Sequence, residues 1–308
     1  MYETMISLTD IQKILRGNIA VDEPMAKYTW MKVGGPADFY IEPTDKDDLK
    51  AIVAYFHTHH YSWMILGRGS NVLVSDEGIR GAVINVEQAL SKIFIEGGLV
   101  IAEAGVRLTK FVDFCIQNEL AGVEMLAGIP GTIGGAVAMN AGAHGGEIAD
   151  HLVEVEVIRN GHTQQVKNEN AQFTYRHSGF DQDVVLSAAF KLQRGDKEPL
   201  SVKRRELILR RNETQPLEFP NLGSMFKNPP NTFAAKLIEQ AGLKSKRVGD
   251  AQISEKHANF IINLGNAKAE DVVRLIDLVK RTVYQNSGVM LELEVKMVGF
   301  SSSAKEAA

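Results

Sequence analysis

The chain has 308 residues, a net charge of −4 and one cysteine. That balance gives no electrostatic basis for binding nucleic acid, and a lone thiol excludes an internal disulfide or a Cys-based zinc site. No run approaches membrane-spanning length and no early stretch has signal-peptide character, so a cytoplasmic chain of two or three domains is expected.

Residues 7–17 read as a short helix capped by Ser7 or Thr9. Residues 44–60 follow with an acidic first turn and with Leu49, Ile52, Val53 and Phe56 at helical spacing. The apolar run 63–66 is a short buried strand and completes a βαβ-like unit. It opens into Gly67, Arg68, Gly69, Ser70 and Asn71, a Gly-x-Gly turn with small polar side chains that suits phosphates. The third glycine and following helix of the dinucleotide fingerprint are missing, and no Gly-Lys-Ser/Thr closes a P-loop.

From about residue 90 the period changes to two. Residues 92–102 form a hairpin turning at Gly97 and Gly98, and 109–118 form an amphipathic helix that buries Cys115. Residues 128–147 then carry Gly128, Gly131, Gly134, Gly135, Gly142, Gly145 and Gly146, a composition no packed core would choose. Backbone amides without a Cβ beside them can close on a bulky anion, most simply a diphosphate. A flexible loop is the alternative; Ile129, Ile133, Val137 and Met139 between the glycines favour a buried, fixed path. Two such loops beside apolar strands point to an extended cofactor.

A second hairpin spans 153–166 with Asn160 and Gly161 at its turn, and 184–192 is a further strand. The polar break 194–197 is the best boundary. Residues 198–213 look helical, with Lys203 and Arg210 on one stripe and Arg204 and Arg211 on the next, which reads as a solvated face. Residues 216–230 are Pro-rich and irregular, 231–240 helical, and 268–286 a long amphipathic helix with Val272, Ile276, Val279 and Val283 on one side. Residues 291–297 alternate as a strand. The expected division is 1–90, 91–197 and 198–300, with a disordered tail at 301–308.

Three places put reactive side chains in unusual settings. Glu292 and Glu294 share one face of the last strand, where a plain solvated face is the simpler reading. Ser224 lies in a rigid turn, without the Gly-x-Ser-x-Gly of a hydrolase elbow. Arg176 lies between a polar loop and a strand, where a surface ion pair is the bland account. No histidine spacing suggests a metal site, and none is expected.

Five motifs occur in one order: Gly-Arg-Gly-Ser-Asn (67–71), Gly-Ile-Pro-Gly-Thr-Ile-Gly-Gly-Ala (128–136), Tyr-Arg-His-Ser (175–178), Gly-Ser-Met-Phe-Lys-Asn-Pro (223–229) and Leu-Glu-Val-Lys (293–296). Together with Ser-Glu-Lys-His-Ala (254–258), they resemble the UDP-N-acetylenolpyruvoylglucosamine reductases, flavoenzymes also called UDP-N-acetylmuramate dehydrogenases. The likeness covers roughly residues 25–300. It implies an α+β fold: a two-subdomain FAD-binding region of the vanillyl-alcohol-oxidase type followed by a C-terminal α+β substrate domain. Residues 29–35 resemble the family's opening strand, and the chain resembles the shorter type without a tyrosine-lid insertion.

The resemblance places FAD against Gly67, Arg68, Gly69, Ser70, Asn71, Gly128, Ile129, Pro130, Gly131, Thr132, Gly134, Gly135, Ala136, Asn140 and Gly142. Arg68, Ser70, Pro130 and Thr132 stand where some relatives attach flavin covalently through His or Cys, so FAD is expected to bind without a covalent bond. By position, Arg176 matches the arginine facing the substrate carboxylate, Ser224 the proton donor and Glu294 the catalytic acid. Tyr175, Lys227 and Asn228 fall among substrate contacts. Asn221, Leu222 and Asp250 depart from the family's usual residues and leave local loop geometry open.

The implied reaction is NADPH-dependent reduction of UDP-N-acetylglucosamine enolpyruvate to UDP-N-acetylmuramate, in peptidoglycan precursor synthesis. NADPH is the co-substrate, and hydride passes from flavin N5 to the substrate. No nucleic acid, membrane or obligate protein partner is expected. An FAD oxidase passing electrons to oxygen, or a binding module without turnover, would share the loops.

Overall fold

The computed structural model describes residues 6–301. The expected tail lies outside the described residues from Ser302 onward. Helices and strands are mixed throughout, as the α+β expectation requires.

The first helix is Leu8–Gln12, with Ser7 as its cap: the Ser7 hydroxyl accepts from the Asp10 amide at 3.2 Å. It stops short of the expected 7–17 because the Arg16 amide donates to the buried Asp48 carboxylate at 2.9 Å instead of continuing the helix. Helix Lys46–Thr58 begins at Asp45, whose carboxylate accepts from the Asp47 and Asp48 amides, and it buries Leu49, Ile52, Val53 and Phe56. Strand Trp63–Leu66 pairs in parallel with Ile79–Asn85, within a four-stranded sheet ordered Asn18–Pro24, Pro36–Glu42, Ile79–Asn85, Trp63–Leu66. Residues 29–35, expected as a strand, are turn and loop. Lys32 sits at φ +59° and the Thr29 hydroxyl donates to the Val33 carbonyl at 2.7 Å, so local bonding turns the segment out of an extended path.

The chain divides into two compact units that interleave along the sequence. One comprises residues up to Val21, Phe39–Gly67 and Gly81–Arg210; the other comprises Asp22–Asp38, Arg68–Arg80 and the chain from Arg211. The consecutive blocks 1–90, 91–197 and 198–300 do not follow this interleaving.

The first unit is built on a five-stranded antiparallel sheet ordered His162–Lys167, Leu152–Arg159, Val184–Phe190, Leu99–Glu103, Ile93–Glu96. Both hairpins turn where expected, since Gly97, Gly98, Asn160 and Gly161 all take positive φ. Helix Ile133–Ala138 packs on strand Val184–Phe190, and helix Leu108–Gln117 buries Cys115 and sets Phe111 against Phe190 with ring centroids 4.7 Å apart. Helix Lys197–Thr214 is less free than a solvated face: Arg204 pairs with Asp113 at 2.6 Å and Lys203 with the buried Glu124 at 3.4 Å.

The second unit centres on helix Ala269–Ser287, whose buried Val272, Ile276, Val279 and Val283 pack with Met225, Phe226 and Leu291. Its first amides, those of Ala269 and Glu270, donate to the Asp76 carboxylate at 2.9 and 3.0 Å. The small antiparallel sheet Arg247–Val248, Ala251–Ile253, Ile261–Asn263 lies in this unit. The expected strand 291–297 is broken: only Lys296–Val298 is a regular strand, parallel to Val72–Val74, while Leu293 bridges to Phe226. The two halves bond to different partner segments, which a single alternating pattern does not reveal.

Candidate functional site

In the first unit Gly67 meets the second glycine-rich segment. Gly67 follows strand Trp63–Leu66, and a Cβ added there would stand 2.7 Å from the Thr132 hydroxyl. Thr132 is buried and caps helix Ile133–Ala138. The amides of Ile133 and Gly134 donate to the Val106 and Ala104 carbonyls, both at 2.8 Å, and pin the loop to the sheet side. The fold itself therefore requires several of these glycines. At Gly67 and Gly134 the missing Cβ makes room for protein atoms, and Gly128 and Gly131 are needed at φ +86° and +143°. Gly135 differs: it is exposed, and a Cβ there would meet nothing nearer than 3.8 Å.

Arg176 sits at the tip of a tight turn. Thr174 and His177 exchange backbone hydrogen bonds of 3.1 Å each, and Arg176 takes φ +57°, an uncommon state for a residue with a side chain. Its guanidinium lies 4.9 Å from the Tyr175 ring centroid and donates to the Gly142 carbonyl at 2.7 Å. Arg176 thus lies against the glycine-rich segment with Tyr175 beside it. Asn140, expected among the cofactor contacts, is wholly buried, with its side-chain amide bonded to the Thr174 carbonyl and the Ala149 amide. Ala136 is also buried.

The rest of the first loop and the C-terminal candidates belong to the second unit. Gly69 has φ +59°, accepts from the Trp30 amide at 3.0 Å and leaves no room for a Cβ, which would lie 2.2 Å from the Tyr28 carbonyl oxygen. The Arg68 guanidinium lies 5.9 Å from the Trp30 ring. The Asn71 side chain donates to the Glu294 carbonyl at 3.0 Å, and the Lys296 amide donates to the Asn71 carbonyl at 3.0 Å.

The segments that carry Ser224 and Glu294 are joined through the backbone. The Glu294 amide donates to the Met225 carbonyl at 2.9 Å, and the Lys227 amide donates to the Glu292 carbonyl at 2.8 Å. The Lys227 ammonium also pairs with the largely exposed Glu292 carboxylate at 2.5 Å. The Asn228 side chain accepts from the Ala234 amide at 3.1 Å, ahead of helix Ala234–Gln240. Asn221 explains its own departure: buried, it donates to the Pro216 and Phe219 carbonyls and accepts from the Gly223 amide at 2.9 Å, shaping the entry to Ser224. Asp250 pairs with Arg247 and accepts from the Asn266 amide at 3.0 Å.

Asn259 was not foreseen. It is buried, accepts from the Phe226 amide at 3.0 Å and donates to the Phe226 carbonyl at 2.8 Å, while its backbone carbonyl accepts from Met225. The only signal was a polar residue between Ala258 and Phe260 in an otherwise apolar run. Among the described residues, no group of three or more His, Cys, Asp or Glu is placed to hold a metal, and no helix is long and apolar enough to cross a membrane.

Comparison with known proteins decides the family. A profile described as FAD binding domain matches residues 37–166, and one described as UDP-N-acetylenolpyruvoylglucosamine reductase, C-terminal domain, matches residues 215–298. The reductase of Chloroherpeton thalassium is 44% identical, over 98% of this chain and 100% of that protein. The chain belongs to the UDP-N-acetylenolpyruvoylglucosamine reductase family. The enzyme of Streptococcus agalactiae is 43% identical over 94% of this chain and 98% of its own length. The crystal structure of the reductase from Thermus caldophilus superposes with a TM-score of 0.77 at 36% identity, covering 92% of this chain and 99% of that one.

The expected fold holds, with an FAD-binding region followed by the family's C-terminal domain, and this family member is an FAD-containing oxidoreductase of peptidoglycan synthesis. The residues present fit the dinucleotide. Gly128 and Gly131 turn the second loop in conformations open to glycine, and Gly135 leaves backbone uncovered at an exposed helix start. Neither His nor Cys stands at positions 68, 70, 130 or 132, in keeping with non-covalent FAD.

Proposed function

We propose that this family member reduces UDP-N-acetylglucosamine enolpyruvate to UDP-N-acetylmuramate with NADPH as electron donor, working in the cytoplasm. The observation that carries the reading is full-length kinship, 44% identity across 98% of the chain, to a protein named for that reduction. FAD, when bound, relays two electrons as a hydride from the nicotinamide to the enolpyruvyl double bond. The amides around Gly128, Gly131 and Gly135, with Gly67 and the 68–71 segment, would hold its diphosphate.

Hydride arrival at the terminal carbon leaves negative charge on the neighbouring carbon and its carboxylate. Arg176 answers that charge with a planar fork of donors. Its support is the constrained turn, which fixes the guanidinium before substrate arrives, and a carboxylate competes well for donors now given to the Gly142 carbonyl. Ser224 supplies the proton to the enolate carbon; a hydroxyl is a weak acid, and only a strongly basic carbanion-like centre needs nothing stronger. Glu294, joined to the Ser224 segment by the Met225 bond, acts as a protonated carboxyl that donates a hydrogen bond to the same developing charge. Tyr175, Lys227 and Asn228 bind the nucleotide sugar.

The test is the visible spectrum of the purified chain, followed by anaerobic reduction with NADPH and mixing with the enolpyruvyl substrate. A flavin spectrum that bleaches with NADPH and returns with substrate is expected. A colourless protein that cannot be reconstituted with FAD would sink the proposal. Rapid reoxidation by air alone would make it an oxidase.

A further inference from the structure

We propose that Asn140 is a positioning residue that holds the turn presenting Arg176 and so ties that arginine's placement to the glycine-rich segment. The inference rests on the role given to Arg176 above. Asn140 is wholly buried and takes φ +45°, a left-handed state that Asn tolerates better than most residues. Its Nδ2 donates to the Thr174 carbonyl at 3.0 Å and its Oδ1 accepts from the Ala149 amide at 3.2 Å. One amide therefore fastens the first residue of the Arg176 turn to the exit of the glycine-rich segment. Both ends of that amide are engaged inside the protein, so its contribution is to hold, not to contact a ligand.

Two further bonds flank it. The buried Ser178 hydroxyl donates to the Ala138 carbonyl at 2.8 Å, and the Arg176 guanidinium donates to the Gly142 carbonyl at 2.7 Å. Residues 138, 140 and 142 thus each meet the 174–178 turn. A non-glycine residue at φ +57° persists only where its surroundings over-determine it. Freeing the Thr174 carbonyl lets the turn relax and the guanidinium drift, and drift on the order of 1 Å suffices to slow a positioned reaction about 100-fold.

The experiment is a double-mutant cycle on FAD-loaded enzyme, with Asn140→Ala, Arg176→Ala and both together, in anaerobic stopped flow. Asn140→Ala should leave flavin reduction by NADPH within about twofold and slow reoxidation by UDP-N-acetylglucosamine enolpyruvate by about 100-fold. The double variant should be no slower in reoxidation than Arg176→Ala alone, because both act through one group. A purely structural role would instead give losses that multiply, and multiplying losses overturn the inference. So does reoxidation by Asn140→Ala at the wild-type rate. If Asn140→Ala fails to keep FAD, Ser178→Ala removes only the flanking bond, and its smaller slowing must likewise vanish in the Arg176→Ala background. Failure of the wild type to be reoxidised, or undiminished reoxidation by Arg176→Ala, sinks the functional reading and this inference with it; multiplying losses sink the inference alone.

Discussion

The Glu294 amide donates to the Met225 carbonyl at 2.9 Å, so the segment carrying the candidate acid lies against the residue that follows the candidate proton donor Ser224. The pairing continues at Lys227 and Glu292, and the Asn71 side chain donates to the Glu294 carbonyl. Glu294 is therefore fixed through both its amide and its carbonyl. A protonated carboxyl group that is to donate a hydrogen bond to charge existing only during reaction gains from such pre-arrangement, because no reorganisation is then required at that moment.

Ser224→Ala removes one hydroxyl from a segment whose backbone bonds all remain. Flavin reduction by NADPH should proceed at close to the wild-type rate, while reoxidation by the enolpyruvyl substrate falls by about 10²–10⁴, the usual worth of a positioned general acid. Stopped-flow absorbance of each half-reaction measures this. Equal losses in both halves would remove Ser224 from proton delivery.

Asn259→Ala deletes a buried amide that satisfies both the amide and the carbonyl of Phe226. Leaving those groups unpaired in a dry interior costs about 1–3 kcal/mol. Denaturant unfolding should show that loss. Asn259→Asp, which keeps the acceptor for the Phe226 amide but not the donor, should fall between the two.

What was legible in the sequence was mostly local. Ser7 caps as read, the Gly97-Gly98 and Asn160-Gly161 turns fall where their residue types demand, and the stripe Val272, Ile276, Val279, Val283 is buried. Misreadings arose where distant partners decide. Lys32 takes a left-handed state inside the segment 29–35 that resembled an opening strand, and the 291–297 run divides between Phe226 and Val72–Val74. The Asn140 side-chain amide likewise bonds residues 34 and 9 positions away, at Thr174 and Ala149. Pattern and spacing carry no information about such partners.

Asp76→Ala should loosen the second unit. Helix Ala269–Ser287 has no capping side chain that accepts at its own N-cap position, Lys268, and its first amides depend on the Asp76 carboxylate. Loss of a cap costs about 1 kcal/mol, and the charge at the positive helix end adds to it. Asp76→Asn keeps an acceptor and should recover part of the loss in thermal unfolding.

Cys115 makes a pH prediction with a definite sign. Burial, with the Glu124 carboxylate adding to it, pushes its thiol up from an ordinary 9.0 to about 12. Between those values the folded chain keeps a proton that the unfolded chain releases, so stability is full below about pH 9 and declines as pH rises, by up to ~1.4 kcal/mol per unit. Wild type should lose more stability than Cys115→Ala between pH 9 and 10 in urea titrations. The native thiol should also resist labelling at pH 8 until the protein is unfolded.

Gly135→Ala separates what the glycine-rich segment does for the fold from what it does for FAD. Gly135 is helical and exposed, and an added methyl group would meet no protein atom nearer than 3.8 Å. Alanine there should keep the fold and gain about 0.5–1 kcal/mol, because glycine is the poorer helix residue. If the open backbone at Gly135 faces the FAD diphosphate, the same methyl group occupies the space the phosphate needs, and FAD affinity should fall at least about tenfold, a loss of ~1.4 kcal/mol. Apoprotein melting and FAD titration of one variant then move in opposite directions. Gly69→Ala gives the contrast, since its Cβ would strike the Tyr28 carbonyl at 2.2 Å and should lower apoprotein stability as well. Unchanged FAD affinity in Gly135→Ala would place the diphosphate elsewhere along the loop.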